Sequence, residues 1–360
     1  MKILFAMERR VDAGSIQALA NYIRVGRKLG HTIAIYGDPD HQLPELHFSN
    51  NPHSFDYVVF IFESKLNWAS GLRLAHLLTI VPRSRRVILD ADGMYNPIIA
   101  LDGYDCNHAS ERNQQRWVAS YQALADRILQ PTLRPRESWV QPLLFYGYDP
   151  QVRAMQQISG HAKCVDIMHV GHNWWRWRDV SERLLPAIDR IRGSVGEICF
   201  VGMWWDAAPP WAAAIGLEKA FTADPQRFRE LGIRILPAVP YRDVIPTMSS
   251  ARINIMTQRP LFQRLSLVKA KYFEIFSSDT LPLVMIEREN AERIYGPSVG
   301  ELTLNGDVAA KLIDALEHPK KYREAAQAVR QYLTAHHSYE CRLNELVELL
   351  DGRPSAARAG

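Results

Sequence analysis

The chain has 360 residues, of which 47% are hydrophobic and 23% are charged. This composition is typical of a globular protein, and the length favours two domains over one. A formal net charge of +4, spread along the chain, argues against nucleic acid as the partner, and no apolar run approaches the roughly 18 residues that a membrane helix needs.

The first 130 residues alternate between short apolar runs and helical periodicity. Lys2–Met7 and Thr32–Tyr36 are predicted strands on either side of a helix that Ser15 begins and Gly30 ends. Further elements follow in the same alternation, with strands at Phe55–Phe62, Arg86–Leu89 and Arg127–Gln130 and helices over Leu66–Val81 and Ser110–Ala125. The pattern predicts an open parallel sheet, and no glycine-rich dinucleotide or P-loop motif accompanies it.

Pro142–Pro150 is the predicted linker, because it contains two prolines and a glycine and has no helical period. The alternation then restarts, with strands at Cys164–Val170, Ile198–Val201, Ile233–Leu236 and Ile253–Met256 and helices over Trp175–Ile191 and Val244–Ser249. The last helices are predicted near Asp307–Glu317, Lys321–Leu333 and Tyr339–Leu350. Two doubly wound halves would bind ligands at the carboxyl ends of their strands.

The stretch Ser266–Met285 combines a helix-compatible run, Val268–Phe276, with a short apolar strand at its end. Lys271 and Glu274 are three residues apart, so they share one helix face. A lysine for phosphate oxygens beside a carboxylate for ribose hydroxyls suits a nucleotide diphosphate. An ordinary intrahelical ion pair is the alternative interpretation.

This stretch resembles the FE-x-x-A-x-G-x-P segment of GT-B glycosyltransferases, and in particular the group of CgeB-like proteins related to glycosyltransferase family 4. Three other pieces resemble that group in the same order: Val170-Gly171-His172 with Arg178, Pro240-Tyr241-Arg242 through Asn254, and His337 through Leu343. The resemblance covers residues 164–350 well and residues 1–150 only in general layout. Two departures are Asp279, where the family has glycine, and the lack of an upstream glutamate near Ser266 and Leu267.

The resemblance implies the GT-B fold, an α/β architecture of two Rossmann-like doubly wound domains facing a central cleft. The expected domains are residues 1–145 on the acceptor side, 146–336 on the nucleotide-sugar side, and 337–360 as a C-terminal helix and tail. The implied enzyme is a glycosyltransferase of class EC 2.4 that moves a sugar from a nucleotide-diphosphate donor to an acceptor hydroxyl.

Most of the candidate site residues are expected to bind the donor. Lys271 is the catalytic cation that neutralises the leaving diphosphate, and Glu274 is expected to hold the ribose. Tyr241 is expected at the nucleotide base. The other donor-binding candidates are Gly171, His172, Arg178, Lys269, Asp279 and Thr280.

On the acceptor side, an inverting reaction needs a general base. Asp92 is the first candidate and His108 the second, although Asp90-Ala91-Asp92-Gly93 also forms a good turn and His108 could merely cap a helix. Glu8 and Ser15, at the first βα turn, are weaker candidates for contact with either the acceptor or the donor phosphate. GT-B enzymes generally use cations and helix ends, so the resemblance implies no metal and no tightly bound cofactor beyond a UDP-, GDP- or dTDP-linked sugar as substrate.

The acceptor stays open among glycan, lipid, small molecule and protein, without nucleic acid. The basic group Arg83, Arg85 and Arg86 leaves peripheral membrane contact open. Four widely spaced cysteines and a short apolar N-terminal run favour a cytoplasmic location. A catalytically inactive GT-B-like binding or scaffold protein is the alternative function, and a nucleotide-sugar epimerase is a weaker one.

Overall fold

A computed structural model describes residues 1–7, 14–63, 75–93, 111–160, 162–214 and 218–352. The chain divides into two compact units. Unit 1 comprises Met1–Gly147, Leu265–Ala270 and His337–Gly360, and unit 2 comprises Tyr148–Arg264 and Lys271–His336. The first division, after Gly147, lies inside the predicted linker.

Unit 1 contains a seven-stranded sheet in the order β3-β2-β1-β4-β5-β6-β7, in which every neighbouring pair of described strands is parallel. The strands are β1 Lys2–Ala6, β2 Thr32–Tyr36, β3 Phe48–Ser49, β4 Tyr57–Phe62, β5 Arg86–Asp90, β6 Arg127–Gln130 and β7 Val140–Pro142. The helices described in this unit are Gly14–Lys28, Ala75–Ile80, Glu111–Leu124 and Tyr339–Asp351, with 3-10 turns at Pro52–Ser54 and Arg83–Arg85.

The core of unit 1 follows from continuous apolar strands that are covered on both faces. β4, with the sequence YVVFIF, is buried from its second residue to its last. One core cluster joins Phe62 on this strand to Tyr121 on the helix Glu111–Leu124, with the two rings stacked 5.2 Å apart.

The helix Tyr339–Asp351 completes unit 1 at the end of the described chain. Ser338 caps it by accepting a hydrogen bond from the backbone N–H of Cys341. Its first residue packs edge-on against Tyr22, and the Tyr57 hydroxyl donates to the Leu350 carbonyl at 2.8 Å. These contacts attach the C-terminal helix to the N-terminal sheet within one unit.

Unit 2 contains a five-stranded sheet in the order β10-β9-β8-β11-β12, again with parallel neighbours. Its strands are β8 Val165–Val170, β9 Ile198–Val201, β10 Ile233–Leu236, β11 Ala251–Met256 and β12 Leu281–Val284. Its α-helices are Pro150–Ser159, Trp177–Asp179, Leu185–Ile191, Trp211–Ala214, Pro225–Glu230, Tyr241–Ser249, Pro260–Arg264, Lys271–Ser277, Arg288–Tyr295, Val308–Glu317 and Pro319–His336, with a π-helical turn at Val180–Leu184 and 3-10 turns at Arg192–Ser194, Glu218–Phe221 and Pro297–Leu302.

The strand order of both sheets reverses beside the first strand of each unit, as in doubly wound α/β folds. In unit 1 the reversal lies between β1 and β4, and in unit 2 it lies between β8 and β11. Ligands of such sheets bind outside the carboxyl ends of the strands at this switch point. The predicted fold class, two Rossmann-like α/β halves, is confirmed. Within the described part of the chain, no helix is both long and apolar enough to cross a membrane.

The segment Leu265–Ala270 belongs to unit 1, although the predicted domain boundaries placed it in the second domain. Leu267 forms an antiparallel bridge with Thr132, and the Val268 N–H donates to the Pro131 carbonyl at 2.8 Å. These backbone bonds hold the segment in a non-helical form. The helix predicted over Val268–Phe276 therefore begins only at Lys271.

Candidate active site

The switch point of unit 2 brings together residues from three parts of the chain. β8 ends at Val170 and leads into Gly171, while β11 ends at Met256 and leads into Thr257 and Gln258. The helix Lys271–Ser277 packs beside them and leads through a short turn into the start of β12, so its first residue lies at the carboxyl edge of the parallel sheet.

Gly171 is held tightly by its neighbours. Its N–H donates to the Val201 carbonyl at 2.8 Å, and its carbonyl accepts the indole N–H of Trp205 at 2.8 Å. A Cβ on Gly202, where φ is +148°, would come within 2.3 Å of the Gly171 carbonyl oxygen, so only glycine allows the two loops to approach. The N–H of Gly171 is already bonded to Val201, so this residue can accommodate a ligand only in the space that a side chain would occupy beside its Cα.

Two nitrogen atoms border that space. A Cβ on Gly171 would lie 3.5 Å from Nε2 of His169 and 3.9 Å from Nε of Arg176. The Arg176 guanidinium is held in place by a hydrogen bond, which its Nη1 donates to the His172 carbonyl at 2.9 Å. The missing side chain at Gly171 thus leaves a small opening next to a guanidinium group.

Lys271 supplies a second cation at the same edge. Its Nζ lies 2.9 Å from Oε2 of Glu274, and the two side chains are 22% and 10% exposed. The predicted pair is therefore an intrahelical ion pair, but a largely buried one. Burial is the main cause that lowers the pKa of the His169 imidazole, and the nearby positive charges of Arg176 and Lys271 lower it further.

Tyr272 and Gln258 lie in the same environment. The Tyr272 phenol is buried, and burial raises its pKa strongly, while a hydrogen bond with the Gln258 side chain and the nearby Arg176 oppose this shift. Sequence reasoning missed Gln258 and His169 as members of this group. The signal for Gln258 is its position two residues after a buried strand, where a parallel sheet presents its ligand-binding edge.

Three predicted donor-side residues lie elsewhere in unit 2 or play other local roles. Arg178 forms a half-exposed ion pair with Glu182 at 3.0 Å. The imidazole of His172 accepts the backbone N–H of Met203 at 3.1 Å through Nδ1. Tyr241 is the first residue of the helix Tyr241–Ser249, directly after the loop that follows β10.

Asp279 and Thr280 lie at the opposite, amino edge of the unit 2 sheet. The Thr280 hydroxyl donates to the carbonyl of Ala251, the first residue of β11. Asp279 forms ion pairs with Arg153 at 2.9 Å and with Lys163 at 3.3 Å. The structure therefore separates these two residues from Gly171 and Lys271, because the helix Lys271–Ser277 carries the chain from one sheet edge to the other.

Lys269 and Asp92 are paired within unit 1. Lys269 Nζ lies 2.7 Å from Oδ1 of Asp92 and also donates to the Ala91 carbonyl at 2.6 Å. Lys269 was expected to bind the donor, but the segment that contains it belongs to unit 1. His108 and Glu8 lie outside the described residues.

Among the described residues, no group of three or more His, Cys, Asp or Glu side chains is arranged to hold a metal ion. The groups brought together in unit 2 are cationic and amide side chains, which suit a phosphate-bearing ligand.

Comparison with known proteins gives a family match for part of the chain. Residues 178–348 match a family model described as glycosyl transferase-like. No curated protein matches the chain.

Solved structures match nearly the full length of the chain at low identity. An alpha-glucosyltransferase in complex with UDP-glucose and DNA containing an abasic site has a TM-score of 0.68 at 12% identity, covering 98% of this chain and 99% of that chain. A T4 phage BGT mutant in complex with UDP-glucose has a TM-score of 0.57 at 12% identity, covering 97% and 99%. A glycosyltransferase from Rickettsia africae has a TM-score of 0.57 at 12% identity, covering 98% of each.

These structural matches show the GT-B fold. The predicted glycosyltransferase activity agrees with the family match over residues 178–348. The closer affiliation with CgeB-like proteins and family 4 stays a prediction.

Proposed function

We propose that the chain transfers a sugar from a UDP-linked donor to an acceptor hydroxyl, with the donor diphosphate bound by unit 2. The observation that carries this proposal is the meeting of Gly171, Arg176 and Lys271 at the carboxyl edge of the unit 2 sheet. UDP as the nucleotide is supported by similar structures that contain UDP or UDP-glucose.

The diphosphate is the group that needs stabilisation in this reaction, since negative charge grows on it as the sugar leaves. Arg176 and Lys271 supply two positive charges, and the missing side chain of Gly171 lets phosphate oxygens approach the backbone. Fixed charges aimed at a developing anion lower the activation barrier, and removal of one such group typically costs about 10²–10³ in turnover. We assign the catalytic cation to Lys271.

The nucleoside is held by Glu274 and Tyr241 in this proposal. The Glu274 carboxylate is largely buried and fixed by Lys271, so it can accept hydrogen bonds from ribose hydroxyls without moving. Tyr241 begins the helix Tyr241–Ser249, which follows the loop after β10 and packs against β8 and β11, so the base of a nucleotide at the switch point would lie beside it.

Asp92 in unit 1 is the proposed acceptor-side base of an inverting reaction. Its ion pair with Lys269 fixes the direction of the carboxylate, which is 22% exposed. A general base must be held within hydrogen-bond reach of the acceptor hydroxyl, and the ion pair with Lys269 would hold the Asp92 carboxylate in one orientation for this role. Independence from metals and an acceptor other than nucleic acid belong to the same proposal, although some similar structures contain DNA.

One departure from the family pattern that favours an inactive scaffold is Asp279, because a carboxylate near the donor phosphates would repel them. Asp279 is instead neutralised by Arg153 and Lys163 at the amino edge of the sheet. Repulsion between Asp279 and the diphosphate therefore gives no support to a loss of catalysis.

The test is a calorimetric titration with UDP-glucose, GDP-mannose and dTDP-glucose, followed by donor hydrolysis without acceptor. We expect the UDP-linked sugar to bind and to be hydrolysed slowly. Lys271→Met should slow hydrolysis by about 10²–10³, while Lys320→Met, which removes an exposed lysine of the same unit, should leave it unchanged. Failure of all three sugars to bind would refute the proposed function.

A further inference from the structure

His169 is the unusual residue of the unit 2 sheet. It lies on β8 between apolar residues and is 2% exposed. Its Nδ1 lies 2.9 Å from the carbonyl oxygen of Ile255 on the neighbouring strand. Its Nε2 is buried and has no hydrogen-bond partner among the described residues.

The partner of Nδ1 fixes the tautomer. A carbonyl oxygen only accepts, so Nδ1 carries the hydrogen atom, and in the neutral imidazole Nε2 is left as a bare acceptor. Burial, followed by the charges of Arg176 and Lys271, lowers the pKa of His169 to about 3, although the bond to Ile255 opposes this shift. Nε2 is therefore an acceptor throughout the neutral pH range.

A buried acceptor without a partner is uncommon in a folded protein. A hydrogen-bond donor satisfies a bare imidazole nitrogen, and a cationic donor satisfies it best. Arg176 is placed to do so, because its Nε and the His169 Nε2 border the same space beside Gly171. Arg176 is already tied through Nη1 to the His172 carbonyl.

We propose that His169 is a positioning residue of the diphosphate site: its Nε2 accepts the Nε–H of Arg176 when the donor binds and fixes the guanidinium against the phosphates. The inference rests on the proposed function, since it assigns Arg176 to the diphosphate. His169 touches no substrate in this arrangement and acts through Arg176. The histidine is suited to this role because it uses one nitrogen to fix itself to β11 and keeps the other as an acceptor.

Two variants separate the two nitrogens. The amide N–H of His169→Asn occupies the place of Nδ1 and keeps the bond to Ile255, but it removes the acceptor at Nε2. His169→Gln reaches the place of Nε2 with an amide oxygen and keeps the acceptor, but it loses Nδ1. A role confined to packing would make the two variants differ in melting temperature without changing UDP binding.

The experiment measures UDP affinity by calorimetry, together with the kcat and KM for UDP-glucose hydrolysis. We expect His169→Asn to weaken UDP binding about tenfold, as for loss of a hydrogen bond to a charged group, and His169→Gln to remain within threefold of wild type. In an Arg176→Ala background, His169→Asn should have no further effect on UDP affinity, since the two residues act as one unit.

Wild-type protein provides a second readout that needs no folded variant. With ¹⁵N-labelled histidine and arginine, UDP should shift the Nε2 resonance of His169 and the Nε–H resonance of Arg176 together. Unchanged UDP affinity of His169→Asn, or resonances that do not move with UDP, would overturn the inference and leave the transferase proposal standing. Failure of the wild type to bind UDP or any nucleotide sugar would overturn both.

Discussion

Lys271 is the residue whose replacement separates catalysis from stability most clearly. Lys271→Met removes the cation from a 2.9 Å pair and leaves the Glu274 carboxylate, which is 10% exposed, without its counter-charge. Loss of one partner from such a largely buried pair should lower the free energy of unfolding by about 1–3 kcal/mol. The same change should raise the activation free energy of sugar transfer by about 3–4 kcal/mol, a fall in kcat of about 10²–10³.

The double variant Lys271→Met/Glu274→Gln tells the two effects apart. Replacement of the carboxylate with a neutral amide removes the unpaired buried charge, so we expect the double variant to regain most of the lost unfolding free energy. Its kcat should stay as low as that of Lys271→Met. Chemical denaturation and donor-hydrolysis rates on the same samples provide the comparison. Recovery of kcat together with stability would show that Lys271 only neutralises Glu274, and the catalytic assignment would be wrong.

Three other changes test the placement of charges in unit 2. The pKa of His169 is about 3 in the folded protein and about 6.5 in the unfolded chain, so the unfolded chain binds more protons between these two pH values. Wild type should therefore lose about 2 kcal/mol of unfolding free energy relative to His169→Gln when the pH falls from 7 to 5. An equal change in the urea unfolding curves of the two proteins between these pH values would contradict this. Asp279→Asn should lower the melting temperature, since it breaks the ion pair with Arg153, and should leave UDP affinity within threefold of wild type. A larger change in UDP affinity would indicate that the diphosphate binds at the amino edge of the sheet, and the proposed site would be wrong. Arg176→Ala should weaken UDP binding at least tenfold by calorimetry. Arg178→Ala should change UDP affinity less than twofold, because Arg178 pairs with Glu182 in solvent. A larger loss of UDP affinity in Arg178→Ala than in Arg176→Ala would refute the site.

The strands that form the two sheet centres could be predicted from the sequence. Continuous apolar runs such as Tyr57–Phe62 and Ile198–Val201 have the length and β-branched content of strands covered on both faces. The edge strands Phe48–Ser49 and Val140–Pro142 were missed, since two or three residues show no periodicity. Their positions depend on backbone pairing with a neighbouring strand, which a local pattern does not contain.

The helix around Lys271 shows how tertiary contacts override local preference. Val268, Lys269 and Ala270 are compatible with a helix, but the Val268 N–H pairs with Pro131 in the other half of the sequence. That pairing moves Lys269 to unit 1 and leaves Lys271 as the first helical residue of unit 2. No local sequence signal marks this division, because the partner residue is more than 130 positions away.

The candidate site was predicted in part. The spacing of Lys271 and Glu274 predicted their pairing, and the family resemblance pointed to the loop at Gly171. His169 was missed because a single histidine in an apolar strand is indistinguishable from a core residue until its unpartnered nitrogen is seen. Asp279 was placed near the donor because sequence distance from Lys271 does not show that the helix between them crosses from one sheet edge to the other.

A crystal structure of the protein with UDP is the measurement that tests the central claim most directly. We predict that the diphosphate lies at the carboxyl edge of the unit 2 sheet, with phosphate oxygens about 2.7–2.9 Å from Lys271 Nζ and from the Arg176 guanidinium and in contact with Gly171. UDP bound away from these three residues, for example at the amino edge beside Asp279, would contradict the assignment of the donor site.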